Sequence, residues 1–267
     1  MGQNSITRFV LNDIGIRGAV VELSDVLGQM TQNRAYSPEH ENLLHRSAVS
    51  VCLLGSILKI KGSIGLELRG VEGVKYLVSQ LTNDRQLRGM LQPLEEQADV
   101  GAGQVIISIE PEDGQKYQGL VGYSKEGVAK SIEDYFTHSE QLDTYIAIGG
   151  RESKLIGVLA QPLADAKVDE NWREQIKIAD LLDTLAESDK ETEDAIAHYF
   201  MQHEYLVYPA EGIVHQCKCS RDKSLASIET IGQDEIRQFL AEDGQIITTC
   251  GFCGQSYQFD EKDFDFI

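Results

Sequence analysis

Basic residues are scarce in this chain. Its 267 residues carry 24 Lys plus Arg against 43 Asp plus Glu, a net charge of −19. A field of that sign works against nucleic acid and against anionic membrane surfaces, both of which need a basic patch on their partner. Long apolar runs are missing too. The longest, Ala48 to Ile60, is interrupted by Ser50, Gly55, Ser56 and Lys59, and it is too short to span a bilayer. Residues Met1 to Asn12 lack a basic start followed by an apolar run, so no signal peptide is expected and the cytoplasm is the expected compartment. Catalytic signatures are absent: there is no GxSxG, P-loop or HExxH, and no GxGxxG follows a strand. The expectation is a binding protein and not an enzyme.

Cysteine is also rare, and four of the five fall into two tight pairs, Cys217-Lys218-Cys219 and Cys250-Gly251-Phe252-Cys253, with thirty residues, 220 to 249, between them. Four soft thiolates in two short clusters suit a closed tetrahedral zinc site with no position left for a catalytic water. The same spacing allows two local disulfides. In a reducing compartment paired cysteines point to metal or redox chemistry instead of a structural disulfide frame. Zinc across the pairs closes about thirty residues, worth about 3.5 kcal/mol on the chain-entropy model, whereas a disulfide inside CxC or CxxC closes almost nothing. Oxidation within each pair is therefore expected to remove the long-range tie and unfold the surrounding module. His215 is a weaker alternative ligand. Cys52, among apolar residues of a helical segment, is expected to be a buried inert thiol.

The chain reads as α+β, with no regular βαβ repeat. Ile6–Leu11 and Gly15–Leu23 are expected strands. Ser37-Pro38 reads as N-cap and first position of a long helix, with apolar residues Leu43, Leu44, Ala48, Val51, Cys52, Leu54 and Leu58 on a helical period. Strands follow around Ile64–Leu68, Val74–Gln80, Val105–Ile109 and Tyr117–Tyr123. A helix over Ser124–His138 comes next, then strands at Thr144–Ile148 and Ile156–Leu159. From Asp165 to Glu204 the character changes: 12 acids stand against 4 bases, with helical apolar spacing at Trp172, Ile176, Ala179, Leu182 and Leu185. This reads as a charged helical linker that docks marginally through one side, with Trp172 as an anchor. The expected division is 1–164 as an α+β domain, 165–214 as the linker and 215–267 as a small cysteine module. In that module a helix is expected near Asp234–Ala241, and strands at Gln245–Thr249 and Ser256–Phe259. So small a unit hardly folds without a staple.

The cysteine spacing leaves two other functions open. One is a structural-zinc module bound to a fixed partner or to nucleic acid, the latter disfavoured by the acidic balance. The other is a thiol–disulfide oxidoreductase using Cys250 and Cys253, disfavoured because no thioredoxin-like βαβ pattern surrounds CxxC.

The residues around the cysteines carry more. His215-Gln-Cys217-Lys-Cys219-Ser220-Arg221, Ala241-Glu-Asp-Gly244-Gln-Ile246, Cys250-Gly-Phe-Cys253 and Tyr257-Gln-Phe259-Asp260 together resemble the redox-regulated bacterial heat-shock chaperone family, the 33-kilodalton holdases. The resemblance continues at Arg17–Leu23, Leu53–Lys59, Ile132–Phe136 and Ser139–Gln141 and covers essentially the whole chain. It implies a client-binding α+β domain partly covered by the charged linker in the reduced state. It further implies one zinc on Cys217, Cys219, Cys250 and Cys253. Under oxidative stress the implied disulfides are Cys217–Cys219 and Cys250–Cys253, with zinc release. The uncovered protein, as a homodimer, is then expected to hold unfolding client proteins without ATP. Two places depart from the family pattern: Ile156–Pro162 is a looser version of its Gly-Gly-containing strand, and Ser220-Arg221-Asp222-Lys223 stands where Ser-Arg-Glu-Arg is often found, keeping the charge signs. Neither touches a thiol.

Overall fold

The computed structural model of the chain describes residues 4–57, 61–94, 102–151, 154–164, 166–188 and 190–264. Leu58, Lys59, Ile60 and Asp165 lie outside them. The strands are β1 (Ser5–Leu11), β2 (Ile16–Leu23), β3 (Gly62–Val71), β4 (Val74–Thr82), β5 (Gln86–Pro93), β6 (Gln104–Pro111), β7 (Tyr117–Gly122), β8 (Tyr145–Arg151), β9 (Lys154–Pro162), β10 (Tyr205–Val207), β11 (Glu211–Gly212), β12 (Val214–His215), β13 (Ile246–Thr249) and β14 (Ser256–Phe259). The α-helices are α1 (Asp25–Thr31), α2 (Pro38–Ile57), α3 (Val128–Tyr135), α4 (Trp172–Ile176), α5 (Ile178–Glu187), α6 (Thr192–Tyr199), α7 (Arg221–Glu229) and α8 (Gln233–Asp243). The α+β class expected from the sequence is the one observed.

Two six-stranded sheets carry the fold, the first antiparallel throughout and the second antiparallel but for the parallel pair β12–β5. The first runs β10-β1-β2-β9-β8, with β11 also on β1; the second runs β12-β5-β4-β3-β6-β7. Helix α2 lies between them and packs on β2 and β9 of one and on β4 and β5 of the other. That placement explains its residues. The expected stripe is buried from Leu43 to Leu54, and so are Val49 and Leu53 on the remaining sides, because a helix with a sheet on either side buries more than one face. Ser37 begins it as expected, its hydroxyl accepting from the His40 amide at 3.3 Å. Cys52 is fully buried here, and burial pushes its thiol well above the usual range, which suits an inert core residue.

The helix expected over Ser124–His138 starts later, at Val128. Gly127 takes φ +100 as its N-cap, and residues 124–127 form a turn closed by the Gly127 amide on the Ser124 carbonyl at 3.0 Å. It also ends later, through a π turn at Phe136–Glu140.

The first sheet is apolar on both faces. Strands β2 and β9 are buried almost without interruption, whereas β3 and β4 alternate, as strands with one solvated face do. The inner face of the first sheet meets α2. On its outer face Phe9, Leu11, Ile16, Val20, Ile156 and Val158 form a core with Trp172, Ile176, Ile178, Leu181, Leu185, Ile196 and Phe200 of the linker. Gly18 is what lets Phe9 lie flat there: a Cβ on it would stand 2.2 Å from the Phe9 ring. Phe200 then stacks on Phe9 with ring centroids 5.1 Å apart.

Polar pins fix the ends of this cover. The Trp172 indole donates to Asp143 Oδ2 at 2.7 Å, Arg173 reaches Asp143 and the Thr144 carbonyl, and the Thr192 hydroxyl donates to buried Glu22 at 3.1 Å. Trp172 is thus an anchor, as its place in the sequence suggested.

Phe200→Ala should cost docking of the linker about 3 kcal/mol, the usual scale for deleting a buried ring. The single Trp is part of the linker and buried against the sheet, so its emission should shift to the red. Protease should cut within 166–188 sooner, while β3 to β6 keep their amide protection. Unchanged Trp emission would show that Phe200 does not hold the cover down.

Candidate metal centre

The second cysteine pair is held on a tight turn. The Cys250 amide donates to the Gln255 carbonyl at 2.8 Å and the Gly254 amide donates back to the Cys250 carbonyl at 3.0 Å. The turn closes the hairpin β13–β14. The first pair precedes α7, whose N-cap Ser220 accepts from the Lys223 amide at 3.2 Å. Helices α7 and α8 and the hairpin enclose a core of only Ile228, Ile236, Phe259 and Phe264, flanked by Leu225, Leu240, Ile246 and Tyr257. A core of this size rarely supplies enough stability by itself. The strands at 246–249 and 256–259 and the helix over 233–243 lie where the sequence put them.

All five cysteines are free thiols. The sulfurs of Cys217, Cys219, Cys250 and Cys253 lie within 4.8 Å of one another, the one group among the described residues that could hold a metal ion. The closest approaches run across the motifs: Cys217 Sγ to Cys250 Sγ is 3.6 Å and Cys219 Sγ to Cys253 Sγ is 3.4 Å. Four thiolates at about 2.3 Å from a central zinc stand about 3.8 Å apart, so donor set and spacing fit that ion. His215 is elsewhere, its Nδ1 3.1 Å from the Leu87 carbonyl.

The thiols differ in acidity. Burial acts against ionisation of Cys250, but the Cys253 and Phe252 amides point at its sulfur and hold it down to about 7. Burial pushes Cys217 up to about 12, with hydrogen bonds to the neighbouring sulfurs acting the same way. The Tyr257 hydroxyl donates to Cys219 Sγ at 3.2 Å.

The cysteine turn is docked on the two-sheet body. Arg34 donates to the Cys250 carbonyl, and Asn33 Nδ2 donates to the Cys253 carbonyl at 3.1 Å. The Arg88 guanidinium lies 4.2 Å from the centroid of the Phe252 ring. Gly254 sits so close that a Cβ would stand 2.6 Å from that of Asn33. None of Asn33, Arg34 and Arg88 was marked by the sequence, because a lone polar residue in a loop or strand carries no spacing signal.

Arg34→Ala should leave the metal content unchanged and raise local opening of the 250–254 turn about tenfold, the loss of one hydrogen bond from a charged donor. Hydrogen exchange of those amides reads it. Equal exchange in variant and parent would mean the contact is not holding the module.

Among the described residues no helix is long and apolar enough to cross a membrane. The family model of the Hsp33 protein matches residues 4–260. The chain is 32% identical to the 33 kDa chaperonin of Vibrio cholerae over 97% of its own length and 94% of that protein. It is 31% identical to that of Escherichia coli over 97% and 93%. The solved structure of the 33 kDa chaperonin (heat shock protein 33 homolog) from Thermotoga maritima has the same fold, with a TM-score of 0.77 at 19% identity, covering 98% of this chain and 96% of that one. Full-length sequence similarity, fold and the gathered thiols agree, and the chain belongs to the Hsp33 family of chaperones.

Proposed function

We propose that the chain is an ATP-independent holdase switched on by thiol oxidation, which protects unfolding proteins from aggregation during oxidative stress in the cytoplasm. The observation that carries the reading is the four-sulfur cluster on a module too weak in core to stand alone, docked on the same body whose apolar outer sheet face is roofed by the linker. Cys217, Cys219, Cys250 and Cys253 would hold one zinc ion in the reduced protein. Zinc there would supply a cross-link between the motifs, worth roughly 10–16 kcal/mol in small zinc modules.

Oxidation acts on the ligands themselves. Two thiols of one motif lose two electrons and two protons to a peroxide, which leaves as two waters, and an S–S bond forms. Pairing Cys217 with Cys219 and Cys250 with Cys253 spends all four donors and closes only trivial loops. The module then loses its tie. The turn no longer presents the Cys250 and Cys253 carbonyls to Arg34 and Asn33, and the linker, continuous with it, is freed to lift. Phe9, Leu11, Val20, Ile156 and Val158 become available to apolar segments of unfolding clients. The net charge of −19 keeps such complexes soluble and disfavours nucleic acid and anionic membranes as partners. The active form is proposed to be a homodimer.

The sulfurs that approach most closely lie across the motifs. A Cys217–Cys250 bond would staple the folded module instead of releasing it. A structural-zinc interaction module that does not switch is the second reading, favoured by that same geometry.

Aggregation of a heat-unfolding client should be suppressed by peroxide-treated protein and not by reduced protein. About one zinc per chain should be released in the same sample, and peptide mapping should find 217–219 and 250–253 disulfides. Equal activity in both states, or retained zinc, would favour the second reading; 217–250 or 219–253 bonds in the active form would overturn the release scheme. Cys217→Ser should weaken zinc binding and give partial activity without oxidant. Unchanged zinc affinity in that variant would contradict the ligand assignment.

A further inference from the structure

Between the linker and the cysteine module the chain crosses a groove at the open edges of both sheets. Strand β10 pairs antiparallel with β1, from Phe9–Val207 to Leu11–Tyr205. Strand β11 continues on β1 at Ser5 and Ile6, and β12 then pairs parallel with β5 at Gln86 and Leu87. Residues 205–216 are therefore an extended strap that augments both sheets in turn. Its backbone gives the Tyr208 amide to the Arg8 carbonyl at 2.9 Å, the Ile213 amide to Asn4 at 2.7 Å, the Val214 amide to Arg85 at 3.1 Å and the Gln216 amide to Leu87 at 3.1 Å.

Two side chains key the strap in place. Ile213 is 4% exposed and joins the main core between the sheets. The Glu211 carboxylate is clasped by two arginines: Oε1 meets Arg8, and Oε2 accepts from Arg85 Nε at 2.7 Å and lies 2.6 Å from its terminal nitrogen. Arg85 also donates to the Gly55 carbonyl at 3.3 Å, so it is fixed in position. In an acidic chain this is a concentrated positive site, and it opens on a cavity of about 310 Å³ lined in part by Arg8, Ser56, Lys61, Thr82 and Arg85. Of the other strap side chains, Val207 packs on the core under the linker and His215 is half-buried beside Leu87, while Leu206 and Val214 are about half exposed, at 47% and 53%.

The groove therefore has the parts of a peptide receptor: strand edges on β1 and β5 whose main-chain hydrogen bonds only the strap fills, an apolar socket, and an arginine pair for a carboxylate two residues before it. The strap is its built-in occupant. We propose that this groove is a docking site for extended client segments carrying an acidic residue followed, two positions on, by a large aliphatic one, and that it is opened when the strap leaves. This rests on the switch proposed above, because the strap runs directly into Cys217 and loses its anchor when the cysteine module unfolds. It adds a sequence-selective strand site to the general apolar face under the linker.

The probe is a labelled peptide of residues 205–216, followed by fluorescence anisotropy with the full-length chain. Peroxide-treated protein should bind it at least tenfold more tightly than reduced protein. Peptides carrying Glu211→Gln or Ile213→Asp should each lose about tenfold in affinity, and excess parent peptide should lower the suppression of client aggregation. Oxidised protein that suppresses aggregation yet ignores the peptide, or binds both sequence variants as well as the parent, overturns the groove and leaves the holdase intact. Binding without competition against clients also overturns it. A reduced full-length chain carrying Glu211→Lys and Ile213→Asp opens the groove without redox chemistry and should bind the parent peptide even if oxidation switches nothing. The Glu211→Lys peptide should in turn bind oxidised Arg85→Glu protein better than the parent peptide does; the reverse order would remove the arginine clasp from the account.

Discussion

A sheet with two apolar faces must have two covers, and the arrangement of this molecule follows from that constraint. One cover is α2, buried on every side from Ser47 to Leu54 and enclosed between sheets, which cannot leave without dissolving the core. The other is the linker, whose helices bury one side and carry most of their acids on the other. Each buried side chain such as Leu181 or Phe200 contributes about 1.5–3 kcal/mol, but ordering each linker residue costs about 1–2 kcal/mol of backbone entropy, and the acids repel one another. The polar pins at Asp143 and Glu22 set where the roof sits more than how tightly. A cover held marginally on an otherwise permanent core is what the proposed holdase switch would use.

The cysteine module has the complementary weakness. Its apolar core is a handful of residues, so its folding depends on what joins 217–219 to 250–253. Its docking contacts with Asn33, Arg34 and Arg88 exist only while the turn is formed. The linker and strap have their own contacts with the body, but the module that follows them is held only while its turn is folded.

Much of this was legible in the sequence, for identifiable reasons. Ser37-Pro38 announced α2, the alternation of Ile64, Leu66 and Leu68 announced β3, short apolar runs bounded by Gly or Asp announced β4 and β6, and the thiol spacing announced the metal centre. Helix α1 escaped because it has seven residues and no side-chain cap at Ser24. Strand β5 escaped because Gln86-Leu-Arg-Gly-Met-Leu-Gln-Pro93 mixes polar residues with a central Gly, a pattern that reads as loop. The strap escaped for a different reason: its strands are two or three residues long, and their pairing with β1 and β5 is a long-range fact that no local period encodes. The start of α3 was misplaced because Ser124 resembles an N-cap, while Gly127 is the residue that takes the non-helical conformation. The sulfurs' partners were legible only as a set of four. How they approach one another across the motifs needed coordinates.

The order of elements along the chain has a consequence during synthesis. The first sheet has its four long strands once β9, ending at Pro162, has left the ribosome, yet its roof is encoded by residues 172–200, which come later. At roughly 5–20 residues per second the four long strands stand a few seconds without their roof on every molecule made. Every newborn chain thus exposes this apolar face before residues 172–200 can cover it.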